Sequence, residues 1–524
     1  MTGAAFWTTV NATEALPGTV TPLTWSFFDE PLEVGLRLGF HELGVLTRAE
    51  TRMPASGGER FVDVFHGKVA LNMDTFRAAA DRIPGTSGDA LESQMFGSSR
   101  PEVTSRRVVR RYPVIAARLP RSAVLGARMV RRSRDSTGRM WRAAVSDPPT
   151  ELAQAVALMH AARRALRHNF HWHGVGTFLA QGCYDRLAQL CAAHRLAGLE
   201  MSLLTGFKQL EEAGMVNDVR AVARGTLPVQ RFLAEHGFHG PGSAELAIPS
   251  WRADPAPLLR LVERHRDALA PSRDTDHRAD AVSALLATTR GRSRLAARLL
   301  LRLGQHLMPL REVGRAGVLL CTDTARIAAE IIERELLSSG RLEAPGDLWY
   351  LTLDELRRPG TDLRERAGRG RQTYEADRRL SLPETWYGRP IPREAPPPAA
   401  DDGDTLKGIA GSAGRVLGVA RVITDPHRED LEPGEILVCQ TTDPSWASTF
   451  ALATGIVVGV GSALSHGAIL ARELGIPCVI NVAGATARVR TGDTVRVDGS
   501  AGTVHIVERA HPGATGQRAT AERT

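Results

Sequence analysis

Residues 461–479 read GSALSHGAILARELGIPCV. A glycine-led turn delivers His466 to the start of a short helical run, ILAREL, and the apolar stretch CVINV follows as a strand, with GIVVGV before the turn as another. A histidine at a helix N-terminus sits where unpaired backbone N–H groups and the positive end of the helix dipole favour an anion. Neutral imidazole is nucleophilic near pH 7, and a phosphoryl group held on its nitrogen stays transferable. Gly459, Gly461 and Gly467 allow backbone to approach such a group closely. Arg472, six residues on, would reach its oxygens if the helix turns it to the same side. Taken locally, the same residues also describe a core histidine at a tight turn, and local physics favours that plainer reading.

Working outward, the segment around the turn has the period of a small sheet. GRVLGVARVI, EILVCQ, GIVVGV, CVINV and TVRVDGSAGTVHIV are short β-rich runs separated by glycine and aspartate, with ILAREL inserted. They predict a compact domain over 405–510, with 511–524 a disordered tail. Residues 381–404 are rich in proline and acid, and read as a semi-rigid linker. Residues 1–380 precede it. From about Pro149 to Leu356 apolar residues recur at helical spacing, as in PTELAQAVALMHAARRALRHNF and DTARIAAEIIERELLSSG, the latter closed by Gly340. The first hundred or so residues mix short apolar runs with turn punctuation and are expected to pack on that helical body. The fold class is therefore α+β multidomain: a mostly α-helical domain followed by a small β/β/α domain.

Composition limits the alternatives. With 524 residues, 43% of them hydrophobic and 24% charged, the chain is globular and too long for one core. Its longest weakly polar stretch, Phe450 to Leu464, is about fifteen residues, short of the roughly 20 that cross a bilayer, so no membrane span is expected. MTGAAFWTTVNATEALPG has neither a basic leader nor a long apolar region, and a cytoplasmic location is expected. The five cysteines contain no CxxC pair and read as buried thiols. Between Arg100 and Arg142 there are thirteen arginines and two acids, Glu102 and Asp135. That patch fits a solvated helical face, a docking or substrate-attracting surface, or a nucleic-acid contact; lacking regular aromatic interleaving, it leaves nucleic acid the least favoured.

The wider pattern changes the reading of His466. TTDPSW (441–446), GSALSHGAILARELGIPCV, AT (485–486), GD (492–493) and VDGSAGTV (497–504) together resemble the swivelling phosphohistidine domain of the phosphoenolpyruvate-utilising enzymes, and LKGIAGSAGRVLGVARVITDP (406–426) resembles its opening strands. The resemblance implies that His466 is phosphorylated, with Ser465 and Arg472 beside the phosphoryl group. Dispersed motifs over most of 1–380 resemble the helical substrate domain of the rifampin phosphotransferases: ATEALPGTVTPLTWSFF, GKVALN, LLTGF, FLAEHGFHGPGSAELAIPSWRADP, PLREVGR and APGDLWYLTLDEL. In that family a basic pair in an R-E-x-x-K helix flanks the acceptor hydroxyl. The matching residues are Arg311 and Arg315, arginine replacing the lysine. Spacing of i and i+4 puts both guanidiniums on one helix face, where they would clamp a phosphate; a plain surface helix has the same spacing. The change to arginine keeps charge and removes a proton-transfer group.

The family's ATP-grasp domain and its phosphoenolpyruvate-binding barrel have no counterpart in the motifs. The resemblance then implies a separate ATP-grasp partner that loads His466, carries the ATP and magnesium, and leaves this chain to pass the group to a small-molecule acceptor, with no cofactor or metal of its own. Two other readings keep the architecture: another reaction on a phosphorylated or phosphonate metabolite, and a non-catalytic carrier subunit.

Two further clusters stand out. HNFHWHGVG places His168, His171 and His173 together, with metal binding, pocket lining and packing all open. EHGFHGPGSAEL holds His239 and Glu245, either of which would serve as an acid or base toward an acceptor hydroxyl unless the loop is only a structural turn. TPLTW at 21–25 is expected to pack or to border the pocket, where Trp25 would stack on an apolar substrate.

Overall fold

The computed structural model describes residues 4–510 except 11, 13–15, 17, 97–98, 197, 204–210, 243, 268–276, 358–361, 395–403, 425–428, 443–445 and 462–464. The expected tail, 511–524, lies outside the described residues. The chain divides into two compact units. The first comprises Met1–Gly214, Leu233–Asp254 and Asp276–Ala395; the second comprises Met215–Phe232, Pro255–Thr275 and Pro396–Thr524.

The first unit is built on five helices: α1 (Pro22–Glu42), α2 (Tyr112–Ser146), α3 (Leu152–Ala193), α4 (Gly291–Leu307) and α5 (Pro309–Ser338). Two of them open on proline where the missing N–H costs nothing, and Thr21 caps α1 by accepting from the Thr24 amide. Helix α5 runs along α3 and α2 and is buried without a break from Ala316 to Ala329, the pattern of a central helix covered on every side. It ends where the sequence places its stop, at Gly340 with φ of 67°. A buried polar knot ties three helices together: Asn169 of α3 donates to Thr137 of α2 (2.9 Å), Ser133 of α2 donates to Asn169 (3.0 Å), and Gly317 of α5 lies against the amide group.

A four-stranded antiparallel sheet completes this unit, formed by β1 (Phe6–Thr8), β2 (Val62–Phe65), β3 (Lys68–Asn72) and β4 (Thr385–Tyr387) in the order β2-β3-β1-β4. Strand β4 falls inside the segment read as linker. Trp386 pairs with Trp7 and is buried against Phe65, so the apolar content of TWY holds this part of the proline-rich run on the unit. Residues 395–403 of that run lie outside the described residues.

The second unit holds one eight-stranded sheet: β5 (Thr405–Lys407), β6 (Ile409–Ser412), β7 (Arg415–Ile423), β8 (Ile436–Cys439), β9 (Gly455–Val458), β10 (Cys478–Ile480), β11 (Thr494–Asp498) and β12 (Thr503–Glu508). Their order is β5-β12-β11-β7-β8-β9-β10-β6, parallel from β7 to β10 and antiparallel elsewhere. ILVC and GIVV are buried throughout, as parallel strands covered on both faces must be. The short helix α6 (His466–Glu473) makes the crossover from β9 to β10.

The helix Ala256–Asp267 belongs to this second unit although it precedes the linker by more than a hundred residues. Arg264 donates to the Leu431 carbonyl (3.1 Å) and pairs with Glu432 (2.8 Å) and Asp430 (2.9 Å), and the buried His265 ring nitrogen lies 3.0 Å from the Ser448 carbonyl. The architecture is thus α+β multidomain, a mostly helical part followed by a sheet-containing C-terminal domain. Among the described residues no helix is long and apolar enough to cross a membrane, and all five cysteines are buried thiols.

Candidate functional site

Strand β9 ends at Val458, residues 462–464 lie outside the described residues, and helix α6 begins at His466. Ser465, buried and extended (φ −62°, ψ 156°), is the N-cap of α6, and its hydroxyl makes no capping bond. His466 is the first helical residue; its side chain lies outside the described residues. Gly467 follows, where a Cβ would stand 2.7 Å from the Thr442 hydroxyl, so only glycine lets the first turn press on that buried threonine. The first-turn amides of α6 have no intrahelical acceptor. Arg472 sits in the last turn, about 9 Å along the axis from His466 at 1.5 Å per residue, and its Nε donates to the Gly411 carbonyl of β6 at 2.5 Å.

Arg311 and Arg315 lie one turn apart near the start of α5, both half-buried, with Glu312 buried beside them. Between them Gly314 meets α3: a Cβ there would approach His173 Nδ1 to 2.6 Å. His173 is half-buried with its Nδ1 shielded from solvent, and its pKa is pushed down to about 4, first by loss of water and then by the charges of Arg311 and Arg315. At neutral pH it is an uncharged wedge that sets the distance between α3 and the helix bearing the two guanidiniums.

The three histidines of HNFHWHGVG therefore divide. His171 stacks on Trp172 (4.4 Å between centroids) with His168 edge-on at 6.4 Å, whereas His173 turns to α5. Among the described residues no group of three His, Cys, Asp or Glu side chains is arranged to hold a metal ion.

Glu245 and His239 are both buried, and their settings differ. The Glu245 carboxylate accepts from the Thr21 amide (3.1 Å) and hydroxyl (2.8 Å), the Thr24 hydroxyl (2.5 Å) and the Ala247 amide (3.0 Å), and so pins the loop to the first turn of α1. His239 packs on Phe238 (4.2 Å) and Trp251 (6.1 Å). The Glu245 carbonyl accepts from Arg326 (2.8 Å). Arg326 is fifteen residues along α5 from Arg311, or about 22 Å. The structure does not bring the arginine pair and the loop carboxylate together.

The sequence reading missed Asp323. It is fully buried in α5 and accepts from Trp141 Nε1 (2.7 Å) and Arg252 Nε (3.0 Å), while Arg252 also pairs with Glu330 (2.8 Å). An aspartate inside the apolar run VLLCTDTARIAAEII was the available signal, since a buried acid demands partners. A cleft of about 400 Å³ opens at the N-terminus of α1, lined among others by Thr21, Trp25, Tyr350, Thr352, Arg366 and Tyr374. Trp25 thus borders a pocket, and Thr21 links its wall to Glu245. Burial, and then the negative charge of Glu245, raises the Tyr374 phenol above its usual range.

Two family models match the chain: the PEP-utilising enzyme mobile domain over residues 431–502 and the rifampicin phosphotransferase fourth domain over residues 200–312. The first contains His466 and the second contains His239, Glu245 and Arg311. The prodigiosin synthesizing transferase PigC of Serratia marcescens is 35% identical over 53% of this chain and 33% of its own. A rifampicin phosphotransferase of a Streptomyces species is 30% identical over 57% of this chain and 37% of its own. An uncharacterised Mycobacterium tuberculosis protein is 32% identical over 52% and 30%. The chain spans about a third of the length of these curated relatives. A solution structure of Enzyme I aligns with a TM-score of 0.17 at 16% identity, covering 62% of this chain and 80% of that one, too loose a likeness to bear on the fold. Two segments of the chain are therefore similar to parts of phosphoenolpyruvate-utilising and rifampicin phosphotransferase proteins: residues 431–502 to the mobile domain and residues 200–312 to the fourth domain.

Proposed function

We propose that this chain is the acceptor side of a phosphotransferase that works through phospho-His466. A separate ATP-grasp polypeptide supplies the phosphoryl group, using ATP and magnesium that it binds itself. A ring nitrogen of His466 attacks phosphorus, the donor's P–O bond breaks, and an N–P bond forms. An acceptor hydroxyl then attacks the phosphohistidine; a P–O bond forms, the N–P bond breaks, and the hydroxyl proton leaves to a base. Arg311 and Arg315 neutralise the charge on the oxygens in flight. The amides at the start of α6 and the Ser465 hydroxyl hold the group while it rides on the histidine.

One observation carries this reading: His466 is the first residue of the helix that follows strand β9, inside the segment that matches the mobile domain. The names of the relatives support phosphoryl transfer as the reaction class. The test is turnover by this chain with an ATP-grasp protein encoded beside it, comparing intact protein with His466→Ala. Loss of transfer in the variant supports the relay, and undiminished transfer removes it.

A further inference from the structure

Helix α2 is the arginine-rich stretch seen in the sequence, and its two faces do different work. Ile115, Ser122, Gly126, Val130, Ser133, Thr137 and Trp141 are buried toward the bundle. Arg121, Arg128, Arg131, Arg132, Arg139 and Arg142 all point outward and are exposed. At 100° per residue, Arg121, Arg128, Arg132 and Arg139 fall within about 40° of one another, with Arg131 and Arg142 flanking one side. The row from 121 to 142 is about 32 Å long.

These six guanidiniums have no acidic partner among the described residues. Elsewhere the chain pairs its arginines readily: Arg60 with Asp29 and Asp63, Arg100 with Asp74 and Glu92, Arg366 with Asp362 and Glu355. At the N-terminal end of α2, the cap residue Arg111 and Arg118 donate to the carbonyls of Gly44, Leu46 and His41. The unpaired six also repel one another, since 128–131, 139–142 and 128–132 are neighbours at i,i+3 and i,i+4, where like charges weaken a helix. A row kept against that repulsion is complementary to a negative surface.

Two details choose between negative surfaces. Asp135 is 60% exposed on its side chain and lies inside the row, between Arg132 and Arg139, with its nearest cation Arg134 at 3.7 Å. Val124, 58% exposed, lies in the row between Arg121 and Arg128. A phosphodiester backbone is uniformly negative and would be repelled at Asp135, and no exposed aromatic offers a base a stacking surface along the row. A protein can place carboxylates against the arginines, a cation against Asp135 and an apolar group against Val124. We infer that the outer face of α2 is a docking surface for an acidic protein that presents carboxylates at seven-residue spacing. A strip this narrow acts on association rate and register more than on affinity, and the inference stands whether or not His466 carries phosphate.

The test uses the full chain and a helical peptide of five heptads, with glutamates facing Arg121, Arg128, Arg132 and Arg139 and one lysine facing Asp135. A scrambled peptide of the same composition and a 30-base-pair duplex are the comparisons, at about 0.15 M salt, where the Debye length is about 8 Å. The matched peptide is expected to bind at least tenfold tighter than either comparison. R128E/R132E/R139E, checked for an unchanged circular dichroism spectrum, is expected to lose at least tenfold of that binding. Asp135→Arg is expected to narrow the gap between peptide and duplex. Duplex binding as tight as the matched peptide overturns the inference in favour of nucleic acid, and equal binding of matched and scrambled peptides reduces the row to unspecific charge.

Discussion

Gly314 of α5 rests on His173 of α3 so closely that a single added carbon would come within 2.6 Å of the ring nitrogen. The contact couples a half-buried neutral imidazole to the spacing of Arg311 and Arg315. Gly314→Ala is therefore expected to push the helices apart and destabilise the first unit by about 1–3 kcal/mol, the usual range for overpacking. Phosphoryl transfer should fall with it. Thermal melting and turnover measured together check this, and a variant with intact stability and full turnover would count against the wedge.

His173 and His171 both have pKa values pushed down to about 4, chiefly by burial. Unfolded, each binds a proton near pH 6.5, so between pH 6.5 and 4 the unfolded chain holds more protons than the folded one. The stability contributed by keeping these rings neutral is complete above pH 6.5 and is lost as pH falls toward 4. Denaturant melts from pH 7.5 to 4.5 should show that decline. Arg315→Gln removes one of the charges that lower the His173 pKa, so its NMR titration should move upward while that of His171 stays.

Glu245 accepts four hydrogen bonds from Thr21, Thr24 and Ala247. Glu245→Ala would strand those buried donors and is expected to cost about 1–3 kcal/mol for each one left without a partner. Glu245→Gln keeps the shape and exchanges an acceptor for a donor, with a smaller loss. If the residue is structural, the amide variant should retain turnover in proportion to its folded fraction. A folded but inactive amide variant would return Glu245 to the role of acid or base.

Within the second unit the helix Ala256–Asp267 is tied to the C-terminal segment through Arg264 and His265. A fragment covering 405–510 alone would expose the surface that these residues cover. It is expected to melt lower than the same domain in the full chain, and Arg264→Ala with His265→Ala should lower the full chain's second transition. Calorimetry resolves the two units and would contradict this if both variants left that transition unmoved.

Much of this was legible in the sequence. The period change after the proline-rich stretch located the sheet domain, and in GSALSHGAILARELGIPCV the helix beginning at His466 and the strand at Cys478 were legible because a cap residue and apolar runs mark their boundaries locally. The helical body was equally readable. Contacts distant in sequence were not: nothing in APLLRLVERHRD announces a bond from His265 to Ser448, and TWY inside a proline-rich run hides a strand that needs Trp7 as its partner. Asp323 and the splitting of His173 from His168 and His171 depend on which helix lies opposite, which helical spacing alone does not specify.

The central claim rests on His466, and the most direct measurement is mass spectrometry of the intact chain after exposure to an ATP-grasp donor and ATP. The account predicts one added phosphoryl group on the peptide containing His466, lost on mild acid treatment, discharged by the acceptor and absent from His466→Ala. A chain that turns over acceptor with no such adduct, or a His466→Ala variant that transfers phosphate at the full rate, would contradict it.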